Sequence, residues 1–199
     1  METKPIDFEA KRSLAGLSDE QLVGLTLGGD RAAFDQLIRQ YQRQAVAVSY
    51  RLVGNTHDAL EVTQEAFLKA YVGLRSLRQP QAFGGWLMRI VSNLSLNLRR
   101  GRKIRRQSTL EDALAANEPC DIARDAGPLR RTQSAEMGQR LMQALEQLPQ
   151  KQRLAIAMFT LEGLPQKQVA QALECSVEAV KWHVFQGRKK LKELLKEYL

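Results

Sequence analysis

The side chains of this sequence that could do chemistry are better suited to binding a polyanion than to catalysis. Only two histidines are present, His57 and His183. No nucleophile stands beside a base, no pair of carboxylates has a spacing typical of acid–base catalysis, and no glycine-rich phosphate loop is found. The cysteines, Cys120 and Cys175, lie far apart without a CxxC pattern or a neighbouring histidine. The sequence therefore predicts a protein with no enzymatic activity, no metal and no other cofactor.

The strongest local pattern is a helix-turn-helix between Leu164 and Leu194. A tight corner at Glu174-Cys175 would join its two helices, and Ser176 is the natural N-cap of the second. The expected inward residues are Val169, Ala170, Leu173, Val180 and Val184. The outer side of the second helix could then read base edges while its basic end meets phosphates. The predicted DNA contacts are Ser176, Val177, Glu178, Lys181, Trp182, Phe185, Gln186, Arg188 and Lys189.

A second polar edge precedes the middle of the chain. Asn93 and Asn97 lie four residues apart, and a run of cations without an intervening acid follows them up to Arg106. Such an edge can combine attraction to phosphates with contacts to the bases of single-stranded or distorted DNA. A solubilising surface is the plainer alternative. The predicted DNA contacts in this segment are Asn93, Asn97, Arg99, Arg100, Arg102 and Lys103.

A third group of polar residues has helical spacing: Asp58, Glu61, Gln64 and Glu65. These side chains would lie on one face of a helix, opposite its apolar stripe. A face of this kind can receive a helix of a partner protein, although an ordinary solvated surface has the same pattern.

Helices must position all three groups, because helical periodicity dominates and no sustained apolar–polar alternation indicates a sheet. Asp30 is a plausible N-cap, and Gly54-Asn55 is a break. Long helices are expected over 31–51, 58–74 and 83–100. Their expected inward residues are Phe34, Leu37, Ile38, Tyr41, Ala45 and Val48, then Leu60, Phe67, Ala70, Tyr71 and Leu74, then Trp86, Leu87, Ile90, Leu94 and Leu98.

The pattern changes between two helical blocks, where Pro119, Gly127 and scattered acids replace the apolar period. Periodicity then returns, with Pro149 placed to begin a helix and Gly163 placed to follow one. We therefore expect an all-α fold of two small helical domains joined by a flexible linker, the second domain containing the helix-turn-helix. The boundaries are an N-terminal segment 1–29, a first domain 30–106, a linker 107–134 and a second domain 135–199.

Composition agrees with a nucleic-acid partner. The 199 residues are 44% hydrophobic and 26% charged, which is enough for cored domains, and the net charge is +8 with a pI near 9.7. An anionic membrane surface is the second choice of partner. Since no segment resembles a signal peptide or a membrane-spanning helix, we expect a cytoplasmic protein without membrane insertion.

The order of these features resembles the extracytoplasmic-function (ECF) group of the sigma-70 family, over about Asp30 to Leu199. The first segment that resembles the family is DALEVTQEAF, from Asp58 to Phe67. The second is FGGWLMRIVSNLSLNLRR, from Phe83 to Arg100. The third is the helix-turn-helix between Leu164 and Leu194. By this resemblance the chain would join RNA polymerase core and direct promoter recognition, DNA melting and transcription initiation.

The resemblance also assigns roles to the three groups. Asp58, Glu61, Gln64 and Glu65 would contact the coiled coil of the polymerase clamp, and the edge from Asn93 onward would open the promoter. A loop over 77–82 would help to hold an unstacked base. The second domain would read an element farther upstream. The family often has an anti-sigma protein, which makes such a protein a possible partner here.

Some positions depart from the family pattern. Glu174 stands where the corner often has glycine, and His183, Phe185 and Gln186 replace Arg, His and Arg. We expect Trp86 to be a core aromatic rather than a base-stacking residue. The main alternative is a stand-alone helix-turn-helix regulator with an N-terminal sensing domain, which would dimerise on two half-sites and would not need polymerase. A basic RNA-binding protein is a weaker alternative, since no aromatic platform on a sheet is indicated.

Overall fold

The computed structural model describes residues 14–108 and 128–196, with side chains for 14–102 and 136–196. Its helices are α1 (Asp19–Leu27), α2 (Arg31–Val53), α3 (Thr56–Gly73), α4 (Phe83–Ser108), α5 (Pro128–Glu146), α6 (Gln150–Ala155), α7 (Gln166–Leu173) and α8 (Val177–Leu194). Short 3₁₀ turns cover Leu74–Ser76 and Pro80–Ala82, and a π-helical segment, Ile156–Leu161, continues α6. No strand occurs in the described ranges, and the predicted all-α class is confirmed.

The helix boundaries of the first block follow from local chemistry. The Asp30 side chain accepts a hydrogen bond from the Ala32 N–H and so caps α2. Gly54 ends that helix at a φ of 89°, a left-handed conformation that glycine adopts without steric cost. Asn55 then caps α3 through the Asp58 N–H. The predicted break at Gly54-Asn55 therefore lies between α2 and α3.

Helix α1 lies inside the N-terminal segment 1–29, in which no helix was identified from the sequence. Its start is a capping box in which the Ser18 hydroxyl accepts from the Gln21 N–H and the Gln21 side chain accepts from the Ser18 N–H. The Tyr41 hydroxyl donates a 2.6 Å hydrogen bond to Asp19 and joins α1 to α2. Burial and that carboxylate raise the pKa of Tyr41. The buried residues of α1 are Leu22, Val23 and Thr26.

The expected inward residues of α2 and α4 pack in the core, Trp86 among them. For α3 the expectation is partly wrong, because Leu60 and Tyr71 are 48% and 45% exposed. The buried residues of α3 are Asp58, Ala59, Val62, Thr63, Ala66, Phe67 and Ala70. The small side chains of Ala59, Ala66 and Ala70 let α3 approach α2 and α4 closely, so the larger Leu60 and Tyr71 stay outside.

The second block contains the predicted helix-turn-helix. Pro149 precedes α6, Pro165 precedes α7, and Gly163 has a φ of 67°. The corner residue Glu174 adopts a left-handed φ of 49°, so this chain keeps the backbone that glycine would favour and bears the steric cost of a side chain there. Ser176 caps α8 by accepting a hydrogen bond from the Ala179 N–H.

The connection between the two blocks differs from its expected extent. Helix α4 continues to Ser108, so the basic run is helical, and α5 already begins at Pro128 inside the expected linker 107–134. Residues 109–127, with Cys120, and the side chain of the predicted DNA contact Lys103 lie outside the described part. Within 14–108 and 128–196, no helix has the length and apolar composition needed to cross a membrane.

Candidate nucleic-acid and partner interfaces

One face of α8 carries most of the predicted base-reading residues. Val180, Val184 and Gly187 of this helix are buried against the rest of the second block. Six predicted contacts are exposed on the remaining surface: Glu178, Lys181, Trp182, Phe185, Arg188 and Lys189. Val177 and Gln186 are only half-buried, and the Ser176 hydroxyl is engaged as the helix cap. The exposed face has the size and composition to enter a major groove.

The α8 face is more apolar than a phosphate-binding surface would be. Trp182 and Phe185 are 54% and 65% exposed, although both are large hydrophobic side chains. A shallow cleft of about 200 Å³ lies beside Phe185 and reaches Phe159 and Gln166, two residues that the sequence analysis did not select. Apolar side chains at this position suit the methyl group of thymine, whereas Lys181 suits a hydrogen-bond acceptor on guanine.

His183 lies beside the α8 face rather than on it. Its ring packs edge-on against Trp182 with 5.0 Å between centroids. Burial lowers the pKa of His183 below its ordinary value of 6.5, and the positive charge of Lys151 lowers it further. The folded chain therefore takes up this proton less readily than the unfolded chain does.

The chain should lose stability as the pH falls below about 6.5, because the unfolded state then binds more protons at His183 than the folded state. We expect His183→Gln to reduce the drop in Tm between about pH 7.5 and 5.5. The control is His57→Gln, which makes the same substitution at an exposed histidine. An equal drop in all three proteins would show that His183 does not contribute.

The basic edge of α4 is only partly available to DNA. Asn93 and Asn97 are exposed, as expected. Arg99 instead donates a 3.0 Å hydrogen bond to the Leu52 carbonyl and pairs with Glu146 at 3.4 Å, and Arg100 donates to Gln150 at 3.3 Å. In this arrangement the guanidinium groups of Arg99 and Arg100 each donate to a protein group, although Arg100 stays exposed.

On the polar face of α3, three of the four predicted residues are exposed and one is buried. Glu61, Gln64 and Glu65 are exposed. The interpretation of Asp58 as an exposed member of that face is wrong, since Asp58 is 2% exposed. Its carboxylate accepts a 2.7 Å hydrogen bond from the Asn55 amide and forms an ion pair with Arg102. Two residues assigned to different surfaces therefore bind each other.

Apolar side chains surround the exposed acids of α3. They are Leu60, Leu68, Tyr71 and Val72, of which Val72 is 83% exposed. A patch of large exposed apolar groups with polar side chains beside them is typical of a surface that a partner covers. Leu68 and Val72 lie four residues apart outside the expected buried stripe, and this spacing was the sequence signal for the patch.

Comparison with known proteins gives consistent results along the chain. The family model for Sigma-70 region 2 matches residues 37–105, and that for Sigma-70 region 4 matches residues 138–191. The RNA polymerase sigma-H factor of Pseudomonas aeruginosa is 33% identical over 91% of this chain and 95% of its own length. The ECF RNA polymerase sigma factor SigE of Mycolicibacterium smegmatis is 34% identical over 85% of this chain, which spans 65% of that relative.

A solved structure has the same fold. CnrH, determined in complex with the cytosolic domain of CnrY, superposes with a TM-score of 0.66 and 24% sequence identity. The superposition covers 91% of this chain and 99% of CnrH. The two helical blocks of this chain thus have their counterpart in one known protein.

Proposed function

This chain belongs to the ECF group of the sigma-70 family, and we propose that it joins RNA polymerase core and directs promoter recognition, DNA melting and transcription initiation. The observation that carries the proposal is the presence of two matched regions in one chain, region 2 at 37–105 and region 4 at 138–191. Family members are transcription initiation factors, and we infer that this chain contributes no catalysis of its own.

The work divides between the two blocks. We assign 30–106 to polymerase binding and promoter opening, and 135–199 to the upstream element. Support for the first assignment comes from the exposed α3 patch, where Glu61 and Gln64 stand among Leu60, Leu68 and Val72. A coiled coil of the polymerase clamp with apolar and basic side chains would complement this patch. Support for the second comes from the exposed α8 face.

Transcription in vitro tests the proposed function most directly. The purified chain, mixed with core polymerase and fragmented genomic DNA, should produce transcripts with defined start sites. Core polymerase without the chain should produce none of them. If the chain neither binds core nor yields defined starts, the proposed function fails. The stand-alone regulator would instead bind DNA as a dimer without polymerase; the region 2 match does not favour it.

Lys181 and Lys189 should contribute to DNA binding in different ways. Both are exposed on α8, and they lie more than two helical turns apart. Lys181→Ala should cost on the order of 1 to 3 kcal/mol and relax the preference at one promoter position, because it removes a contact to a base. Lys189→Ala should weaken all sequences alike and reduce the salt slope by about one, because it removes a contact to a phosphate.

Binding of the polymerase complex to a panel of upstream-element variants at several salt concentrations checks this pair. Each lysine variant serves as the control for the other, since both remove one exposed positive charge from the same helix. An unchanged sequence preference in Lys181→Ala would mean that α8 enters the groove with another part of its surface.

We also propose that a protein partner controls the chain in the cytoplasm. CnrH was solved with the cytosolic domain of another protein bound to it. For this chain the partner would be an anti-sigma factor that competes with polymerase. Adding such a protein to the transcription assay should abolish the defined start sites, and unchanged transcription would exclude the protein added.

A further inference from the structure

The loop 77–82 between α3 and α4 has three exposed polar side chains, namely Arg78, Gln79 and Gln81. A glutamine amide can form two hydrogen bonds with one edge of an adenine, and an arginine can meet a phosphate. The apolar residues of the same loop lie deeper, since Leu77 packs against the core and Pro80 is half-buried. The loop therefore has a polar side that is open to a nucleic-acid strand and an apolar side that needs support.

Helix α1 supplies part of this support. It packs against both 3₁₀ turns that flank the loop residues, Leu74–Ser76 and Pro80–Ala82. A helix of nine residues is not stable by itself, and α1 is held on the core by Leu22 and Val23, which are fully buried. Because burial of apolar groups is not directional, these two residues leave the exact position of α1 against the loop undetermined.

Tyr41 of α2 provides the directional contact that α1 needs. Its hydroxyl donates the 2.6 Å hydrogen bond to Asp19, in the first turn of α1, and a carboxylate acceptor makes such a bond stronger than a neutral one. The Tyr41 ring packs against Phe83 with 5.5 Å between centroids. A Cβ atom on Gly84 would stand 2.8 Å from the Tyr41 hydroxyl oxygen. One side chain thus contacts both α1 and the residues that directly follow the loop.

A second aromatic contact reaches the other end of the loop. The Phe83 ring lies 6.0 Å from the ring of Trp86. A Cβ atom on Gly73 would stand 3.6 Å from the Trp86 indole, so Trp86 lies against the end of α3. Three rings therefore connect α1 and both ends of the loop. A loop that is held in this way loses less conformational entropy when its exposed residues bind a ligand.

We propose that α1 positions the loop 77–82 for binding an unpaired DNA base, and that Asp19 and Tyr41 are the positioning residues because their hydrogen bond holds α1 in place. The positioning itself is a property of the fold. Its consequence for DNA rests on the proposed function, since only promoter opening presents an unpaired base to the loop.

Hydrogen exchange of the full chain without polymerase tests the positioning. The Leu77 N–H donates to the Leu74 carbonyl at 3.1 Å, and the Ala82 N–H donates to the Gln79 carbonyl at 2.8 Å. Asp19→Ala should speed exchange at these two amides by about fivefold, because one hydrogen bond that holds α1 is lost. Tyr41→Phe keeps the ring and removes only the hydroxyl, and it should have the same effect.

Glu20→Ala is the matched control, since Glu20 is the other acid in the first turn of α1. It removes the same favourable charge from the helix N-terminus without touching Tyr41, and exchange at Leu77 and Ala82 should stay at the wild-type rate. The double variant Asp19→Ala with Tyr41→Phe should be no worse than either single variant, because both act through one bond. Wild-type exchange in Asp19→Ala and Tyr41→Phe, or additive effects in the double variant, would overturn the proposal.

Binding of a single strand by the complex of the full chain with core polymerase tests the consequence for DNA. The probe is a fluorescent 12-nucleotide strand from the most active promoter of the transcription assay, compared with strands that lack one base at each position in turn. Where the loop holds a base, wild type should prefer the complete strand by about tenfold. In Asp19→Ala and Tyr41→Phe this preference should fall below about threefold, because an unsupported loop loses more entropy on binding. All variants should bind the abasic strand equally.

The abasic strands separate positioning from a general loss of stability. Equal weakening on complete and abasic strands would show that the variants only damage the fold, and it would overturn the role in base binding. A wild-type complex that tolerates an abasic site at every position would overturn that role as well, because the loop would then hold no base. If wild type yields no defined start sites with core polymerase, the proposed function fails, and the hydrogen-exchange result still decides whether α1 positions the loop.

Discussion

Arg102→Ala should lower the free energy of unfolding by about 3 kcal/mol, because it leaves the Asp58 carboxylate buried without its counter-ion. The Asp58 side chain is 3% exposed, whereas Arg102 is 44% exposed. Removing the arginine therefore harms the fold more than removing a surface cation would. Urea or thermal unfolding of the full chain measures the effect. If this variant also opens promoters less well, we attribute the loss to its lower stability before any lost contact to DNA.

Two further variants separate the ion pair from DNA binding. Arg100→Ala is the matched control, since Arg100 is exposed and its partner Gln150 is also exposed; it should change stability by no more than about 0.5 kcal/mol. Adding Asp58→Asn to Arg102→Ala removes the unpaired charge and should recover most of the lost stability. If Arg102→Ala is as stable as wild type and loses only DNA binding, the pair with Asp58 has no structural role.

Replacing Glu61 and Gln64 together by alanine should weaken binding to RNA polymerase core by about 100-fold, or roughly 2.7 kcal/mol. Both side chains are exposed at the centre of the α3 patch, between Leu60 and Leu68. Neither supports the fold, so the free energy of unfolding should change by less than about 0.5 kcal/mol. Titration of labelled core polymerase with the full chain measures the affinity.

The control variant Asp35→Ala with Gln40→Ala removes one carboxylate and one amide from the exposed side of α2, away from the patch. It should bind core as wild type does. Binding of the full chain to an upstream-element duplex should be unchanged in both double variants. Equal loss of core binding and DNA binding by the Glu61/Gln64 variant would indicate misfolding, and retained core binding would exclude this face as the polymerase contact.

Local sequence patterns were sufficient to predict most of the helices. Asp30 and Ser176 cap helices as expected, because a cap depends on a hydrogen bond to a backbone group two or three residues away. The inward residues of α7 and α8 followed from the period of 3.6 in the same way. Helix α1 was missed although Ser18 and Gln21 have the spacing of a capping box. The helix has only nine residues, so its apolar pattern is short, and it packs against α2.

The register of α3 shows where periodicity fails. Two stripes of this helix are apolar, one rich in alanine and one with larger residues such as Leu60 and Val72. Hydrophobicity alone favours burying the larger residues. The structure buries the alanine-rich stripe together with Val62 and Phe67, because the small side chains of that stripe let two neighbouring helices approach α3 closely. Leu60 and Val72 thereby stay exposed.

The sequence by itself determined most of the helices, several of their caps, the helix-turn-helix and the family, because each depends on residues close together in the chain or on motifs in a fixed order. Only the tertiary structure decided which polar groups are free. Asp58 and Arg102 are 44 residues apart, and Arg51 and Glu162 are 111 apart. Whether such charges meet each other or solvent depends on how the helices pack, and no local spacing contains that information.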